Sequence, residues 1–280
     1  MRVGIGLPTS TPGASRDLLL EWSVRADRGP FSTLAVVDRI AYPNFEPFTA
    51  LAAAAALTRR IDLATMAAIG PLRNTALLAK QAASIDALSV GRLTLGLAVG
   101  ARGNDYDAAG IDHRGRGRRL GEQLDEIRTI WEGEQIGPKC ARPSGPRLLV
   151  GGGSGEALLR MARSSDGYMH GGGPPRAFAG AAARARAAWT DAGRPGAPLL
   201  WGMGYYALGE GTSDAGAGYL RDYYAFAGPF AEKIAAANLT TTGAVADFVR
   251  GYQEAGCDEL VLFPTVSSMD QLDRLAEVLG

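Results

Sequence analysis

Gly151-Gly152-Gly153-Ser154-Gly155 stands between a short apolar run and a segment of helical period. Glycines there let a phosphate approach the backbone, while the Ser154 hydroxyl and the amides of the helix N-terminus supply donors. The structural alternative is a tight turn with Ser154 as N-cap. Asp38-Arg39 follows another apolar run. A carboxylate and a guanidinium at a strand end can orient a substrate or stabilise a developing anion; equally, they can pair and fasten a loop. His170, in Met169-His170-Gly171-Gly172-Gly173, can hydrogen-bond a ligand or shuttle a proton, or sit buried as a structural imidazole. His113, the other histidine, is expected to face solvent.

Several chemistries are excluded by what these residues lack. No Gly-x-x-x-x-Gly-Lys-Ser/Thr stretch marks a nucleotide triphosphatase, and no Gly-x-Gly-x-x-Gly follows the first strand to hold a nicotinamide dinucleotide. No Gly-x-Ser-x-Gly elbow is present. Two histidines with Cys140 and Cys257 give no metal-ligand spacing, and the two thiols make no disulfide framework. Lys80, Lys139 and Lys233 fall on helices or loops, away from the strand ends where a Schiff-base lysine would stand.

The elements that must position these groups alternate. Short apolar runs at 3–7, 33–37, 61–66, 93–99, 147–150, 167–170, 199–207 and 259–264 read as strands. Between them lie helical patterns. Ser15 caps a helix burying Leu18, Leu19 and Trp22, and an alanine-rich helix spans 45–58. Asn74 caps a helix with Leu78, Ala82, Ile85 and Leu88 on one face; Leu120, Leu124, Ile127 and Trp131 mark another. Ser154 opens the next, an alanine-rich helix runs to 192, and Thr242 caps one that turns Val245, Phe248, Val249 and Tyr252 inward. Ser268 and Gln271 form a capping box for the last, with Leu272, Leu275, Ala276 and Leu279 inward.

This makes eight strand–helix units of about 35 residues, which must run parallel because hairpin-length connections are missing. They close most simply as a single (β/α)8 TIM barrel, one domain over 1–280; a doubly wound open sheet is the alternative. Two insertions exceed what packing needs: 100–115 after strand four, and 209–241 after strand seven, which carries Tyr219, Tyr223, Tyr224, Phe226 and Phe230. Both follow strands, so both belong to the face where barrel sites are built, as lids or substrate walls.

Over 280 residues the hydrophobic share is 46% and the charged share 21%, as in a globular protein with a real core. A formal net charge of zero gives a nucleic acid nothing to hold. The N-terminal eight residues are too soon broken by glycine and proline for a signal peptide, and the apolar run at 52–57 is too short for a membrane span. A cytoplasmic location is the expectation.

Residues 89–100, Ser-Val-Gly-Arg-Leu-Thr-Leu-Gly-Leu-Ala-Val-Gly, resemble the Ser-x-Gly-Arg stretch of luciferase-like monooxygenases. Pro71-Leu72-Arg73, Leu124-Asp125-Glu126 through Trp131-Glu132-Gly133, Leu149-Val150-Gly151-Gly152, and Asp166-Gly167 fourteen residues beyond Gly152 continue the resemblance in order. It implies an eight-stranded parallel barrel holding FMN or the deazaflavin coenzyme F420 at its C-terminal face. It further implies a strand-three bulge with a cis peptide at Met66-Ala67 behind the cofactor ring, and cofactor contacts from Gly100, Arg102, His170 and the turn Gly151, Gly152, Gly153, Ser154 and Gly155.

The expected activity is a monooxygenase in which FMN, reduced by a separate flavin reductase, and O2 oxygenate a small organic substrate. Asp38, Arg39, Tyr106 and His170 are the candidates for orienting substrate and steering protons. Arg39 stands near where the light-emitting members carry a histidine, and a permanently protonated guanidinium cannot replace that base. The alternatives are F420-dependent hydride transfer, with Arg102, Arg114, Arg116, Arg118 and Arg119 along the polyglutamate tail, and a catalytically silent flavin-binding barrel. A homodimer through the alanine-rich second helix is expected.

Overall fold

In the computed structural model, which describes residues 1–280, nine parallel strands run in the order β3-β2-β1-β9-β8-β7-β6-β5-β4. They are β1 (Arg2–Gly6), β2 (Thr33–Val36), β3 (Asp62–Thr65), β4 (Ala68–Ile69), β5 (Leu93–Ala98), β6 (Arg147–Gly151), β7 (Gly167–Met169), β8 (Leu199–Tyr206) and β9 (Glu259–Pro264). Leu63 and Ala64 of β3 pair with Leu93 and Thr94 of β5, which closes the sheet into an eight-stranded barrel and removes both edges. The open-sheet alternative falls on that pairing. The ninth strand comes from a break in the third: β3 stops at Thr65, the Met66–Ala67 peptide is cis, and β4 resumes at Ala68 beside Leu97.

Helices α1 (Arg16–Arg28), α2 (Pro47–Leu57), α3 (Thr75–Leu88), α5 (Arg116–Glu132), α6 (Gly155–Ser164), α7 (Pro175–Asp191), α10 (Thr242–Glu254) and α11 (Met269–Leu279) clothe the barrel. Each start has a local cause. Ser15, Asn74, Ser154 and Thr241 accept a backbone N–H three residues on, and Glu46 does the same ahead of Pro47. The cap of α10 is therefore Thr241, one residue before the expected Thr242. The expected capping box at α11 is half formed. Ser268 caps, but the Gln271 amide turns inward to the N–H and C=O of Leu208, because only there does a fully buried amide meet both a donor and an acceptor.

Two large side-chain populations fill the molecule, and Ile69, Leu72 and Tyr106 form a small third one. One joins the outer face of the sheet to the helices, with Trp22, Leu51, Leu78, Leu124, Met161 and Tyr252 among its buried members. The other fills the barrel interior and continues up under the last insertion, from Leu149, Met169 and Trp201 to Tyr219 and Tyr223. Gly96 makes room in that interior: a Cβ there would stand 2.2 Å from the Thr65 carbonyl and 2.4 Å from the Met169 methyl.

The insertions fold as anticipated in place and acquire helices of their own. The first carries α4 (Gly103–Ala109); the second carries α8 (Thr212–Tyr223) and α9 (Phe230–Ala236). No helix is long and apolar enough to cross a membrane.

Candidate active site

The turn after β6 is rich in unused donors. Ser154 Oγ accepts the Ala157 N–H at 3.2 Å, so the capping role is real. The N–H groups of Gly152, Gly153, Ser154 and Gly155 donate to no protein acceptor. Gly152 has φ +134°, and a Cβ there would also stand 2.8 Å from that of Ala157; at Gly153 and Gly155 it would meet nothing within 4 Å. Its own N–H and the nearby Ser154 hydroxyl lower the pKa of the exposed Glu156 carboxylate. The turn thus already attracts an anion, as a helix N-terminus should.

This turn borders a cavity of about 250 Å³ at the C-terminal ends of the strands. Met66, Ala67, Gly100, Arg102, Gly151, Gly152, Asp38 and His170 all line it. Gly153, Ser154 and Gly155 lie next along the same turn. Arg39 and Tyr106 do not line the cavity.

Asp38, two residues past β2, is buried and faces three ways. Its Oδ2 accepts the Ile69 N–H at 2.8 Å and Arg73 Nη2 at 2.9 Å, so it fastens β4 just after the cis peptide. Its Oδ1 is buried without a partner. Burial raises the pKa of Asp38, and Arg73 pulls the other way. Arg73 also reaches Glu46 at 3.0 Å and lies over the Phe48 ring.

Arg39 leaves the cavity because a buried guanidinium needs a carboxylate, and Asp105 at the start of α4 supplies one at 2.8 Å. Both side chains are at most 4% exposed. The same Asp105 accepts the N–H groups of Ile40 and Ala41. Arg39 also lies over the rings of Tyr42 and Tyr223. Tyr106, the residue after Asp105, donates to the Val99 carbonyl and packs edge-on against His113. Its hydroxyl is committed to α4 packing. His113 is in turn half-buried rather than solvent-facing, since that ring covers it.

His170, just past β7, keeps a buried, unpartnered Nδ1. Burial, then the charge of Arg184, lowers its pKa, so the imidazole is neutral near pH 7. Arg102 is held from above: Nη2 donates to the Tyr223 carbonyl at 3.0 Å, and the guanidinium lies over Tyr223, Tyr224 and Phe226.

Sequence reasoning named Tyr224 in the second insertion but missed Tyr205, its partner across the cavity. Tyr205 on β8 and Tyr224 after α8 place their hydroxyls 2.7 Å apart, and both line the cavity. Burial raises the pKa of each, so both are phenols at neutral pH. The available signal was a tyrosine doublet ending an apolar strand, where polar tips face the barrel mouth. Asp105 and Arg73 were also missed as partners, because a contact across 66 or 35 positions has no local trace.

A parallel barrel with an apolar cavity, a broken third strand and a donor-rich βα turn at its C-terminal mouth is built as barrel enzymes are. The sequence model of luciferase-like monooxygenases matches residues 1–258, and the chain belongs to that family. An uncharacterised Mycobacterium tuberculosis protein is 29% identical over 202 residues, 60% of this chain and 70% of that one. The oxygenase component of the flavin-dependent trigonelline monooxygenase of Acinetobacter baylyi is 32% identical over 124 residues, 42% of this chain and 34% of its own. Among solved structures, an F420-dependent secondary alcohol dehydrogenase superposes with TM-score 0.80 at 16% identity, covering 99% of this chain and 97% of that one. The oxygenating constituent of 3,6-diketocamphane monooxygenase from Pseudomonas putida, in complex with FMN, gives 0.71 at 17%, covering 100% and 96%. At these identities the superpositions speak for the fold.

Proposed function

We propose that this protein is the oxygenase of a two-component monooxygenase, taking reduced FMN from a separate flavin reductase and oxygenating a small organic substrate with O2. The observation that carries the reading is the row of free N–H groups from Gly152 to Gly155 at the rim of an apolar cavity. That arrangement suits a planar ring with a terminal phosphate monoester. Met66 and Ala67 would back the ring, and the turn would hold the phosphate. A relative named as the oxygenase component of a flavin-dependent monooxygenase supports the division of labour.

Bound reduced flavin supplies the electrons that activate O2; the chain supplies the setting. Tyr223, Tyr224 and Arg102 roof the cavity and keep water out. Within the Tyr205–Tyr224 pair one phenol donates to the other, and the second keeps its O–H free to donate to developing negative charge. Neutral His170 offers Nδ1 as a proton relay, and Asp38 holds β4 against the cavity floor.

The deazaflavin alternative asks for free cations along an acidic tail. Arg102 is boxed by aromatic rings, Arg116 and Arg119 serve protein acceptors, and Arg118 pairs with Glu122; only Arg114 keeps its side chain free. That distribution favours FMN. A second copy of this chain is the proposed partner, packed on Ala53, Ala56 and Leu57, which α2 leaves exposed.

Titration of the purified protein with FMN and with F420, followed by absorbance, tests the assignment. Micromolar binding of FMN alone is expected. Exclusive binding of F420 would overturn it, and tight FMN binding without turnover of any substrate would leave a silent flavin-binding barrel.

A further inference from the structure

A second, larger chamber of about 570 Å³ lies beside the cavity, and Gly171, Tyr205 and Tyr224 line both. Its body is apolar: Pro174 and Pro175 lie on one side, with Phe230 and Ile234 of α9 and Phe248 of α10 among its other walls. Arg176 and Lys233 also line it, while no aspartate or glutamate does. Of the acids on α9 and in the first half of α10, Glu232 pairs with Arg221 and Asp247 with Arg250. Both cations are exposed and neither has a carboxylate partner, so the rim of an apolar chamber carries a net positive potential that favours an anionic group.

The partition between the two spaces is thin. It consists of the Tyr205–Tyr224 hydroxyl pair and Gly171. A Cβ at Gly171 would meet nothing within 4 Å, and its backbone lies outside the left-handed region, so no local packing demands a glycine there. What the missing side chain leaves is open space at the boundary.

We propose that this chamber is the substrate site, and that it takes an amphipathic organic monocarboxylate. The carboxylate pairs with Arg176 and Lys233, the aryl or alkyl body lies against Phe230, Ile234 and Phe248, and the far end meets the partition beside Gly171. The proposal rests on the reading that the first cavity takes the flavin. The two tyrosine hydroxyls then stand between substrate and cofactor, where they can hydrogen-bond either one.

The test is calorimetric binding of 4-phenylbutyrate and its neutral counterpart 4-phenylbutanol to the purified full chain, with and without FMN. Phenylbutyrate should bind tighter by about tenfold, the scale of one charge-assisted hydrogen bond. The Arg176→Gln/Lys233→Gln double variant should erase that preference and leave phenylbutanol binding unchanged. Ile234→Trp, which fills the chamber, should abolish binding of both probes while FMN titration still shows a folded cavity. Equal affinity for the two probes, or a preference untouched by the double variant, overturns the proposal. So does one-for-one displacement of phenylbutyrate by FMN, which would place the anion on the cofactor turn. Carboxylate-selective binding in a protein that takes no FMN would uphold the chamber and sink the flavin assignment instead.

Discussion

Two buried aspartates near the cavity do different work, and their substitutions separate them. Asp105 is the one carboxylate on Arg39, and both side chains are sealed from water. Asp38 shares Arg73 with Glu46, and Arg73 is 12% exposed. Removing one partner of a sealed pair strands a charge; removing one of two partners does not. Asp105→Asn should therefore cost about 3–5 kcal/mol of stability, and Asp38→Asn about 2 kcal/mol, read from urea midpoints at constant m-value. FMN affinity should order them the other way, because Asp38 latches β4 behind the ring and Asp105 does not touch the cavity. His170 adds a pH signature. Its folded pKa lies below its unfolded value of about 6.5. Between those two values the unfolded chain binds the extra proton, so stability rises with pH across that window and is flat in this group above it. His170→Gln should flatten the slope of urea midpoint against pH just below about 6.5; an unchanged slope would show that the imidazole titrates normally.

The turn from Gly151 to Gly155 joins a strand to a helix, and its donors belong to that junction rather than to any side chain. A carboxylate built into it should compete with a phosphate for the same N–H groups. Gly153 is the position to use, since a Cβ there meets nothing within 4 Å and its φ is not left-handed. Gly153→Asp should weaken FMN binding about tenfold or more, change riboflavin binding little, and leave the urea midpoint at or above that of the parent. Equal losses for FMN and riboflavin would place the phosphate elsewhere. This turn was legible because glycine, an N-cap and a following amphipathic helix are local signals. The eight strands and their helices were legible for the same reason. The break at Met66–Ala67 came from resemblance alone, as nothing in Met-Ala itself reports it. Gln271 shows where local logic stops. Three residues after Ser268 it fits a capping box, yet the buried Leu208 backbone claims its amide. Arg39 and Tyr106 were misplaced on the same ground: their types suit a site, but Asp105 and the Val99 carbonyl, found only in three dimensions, take them.

At the scale of the whole molecule the barrel carries a separate roof. Helices α8 and α9 lie in the last insertion, and besides the Tyr205–Tyr224 pair four polar contacts tie it across the mouth. Ser10 after β1 bonds Tyr219 at 2.8 Å, Tyr42 after β2 bonds Asp222 at 2.7 Å, Arg102 after β5 bonds the Tyr223 carbonyl at 3.0 Å, and Asn238 bonds Thr265 after β9 at 3.1 Å. These four ties come from the ends of β1, β2, β5 and β9. Its own sequence could not show this, because each of these four partners lies at least 27 positions away. The barrel beneath is held by a continuous ladder and a large apolar core, whereas the roof adds a small apolar patch around Tyr219, Leu220 and Tyr223, a few hydrogen bonds and aromatic contacts. Opening of the roof should therefore be a local event, cheaper than unfolding. Ser10→Ala with Tyr42→Phe removes two ties worth together about 2 kcal/mol, which is about thirtyfold in an opening equilibrium. Hydrogen exchange should show the α8 amides accelerated by that factor while the amides of the β-ladder keep their protection. Bound FMN should dissociate faster, since Tyr223 and Tyr224 roof its cavity. A uniform loss of protection through barrel and roof alike would mean that the two are one cooperative unit, and that substrate and cofactor enter by some other route than lifting α8.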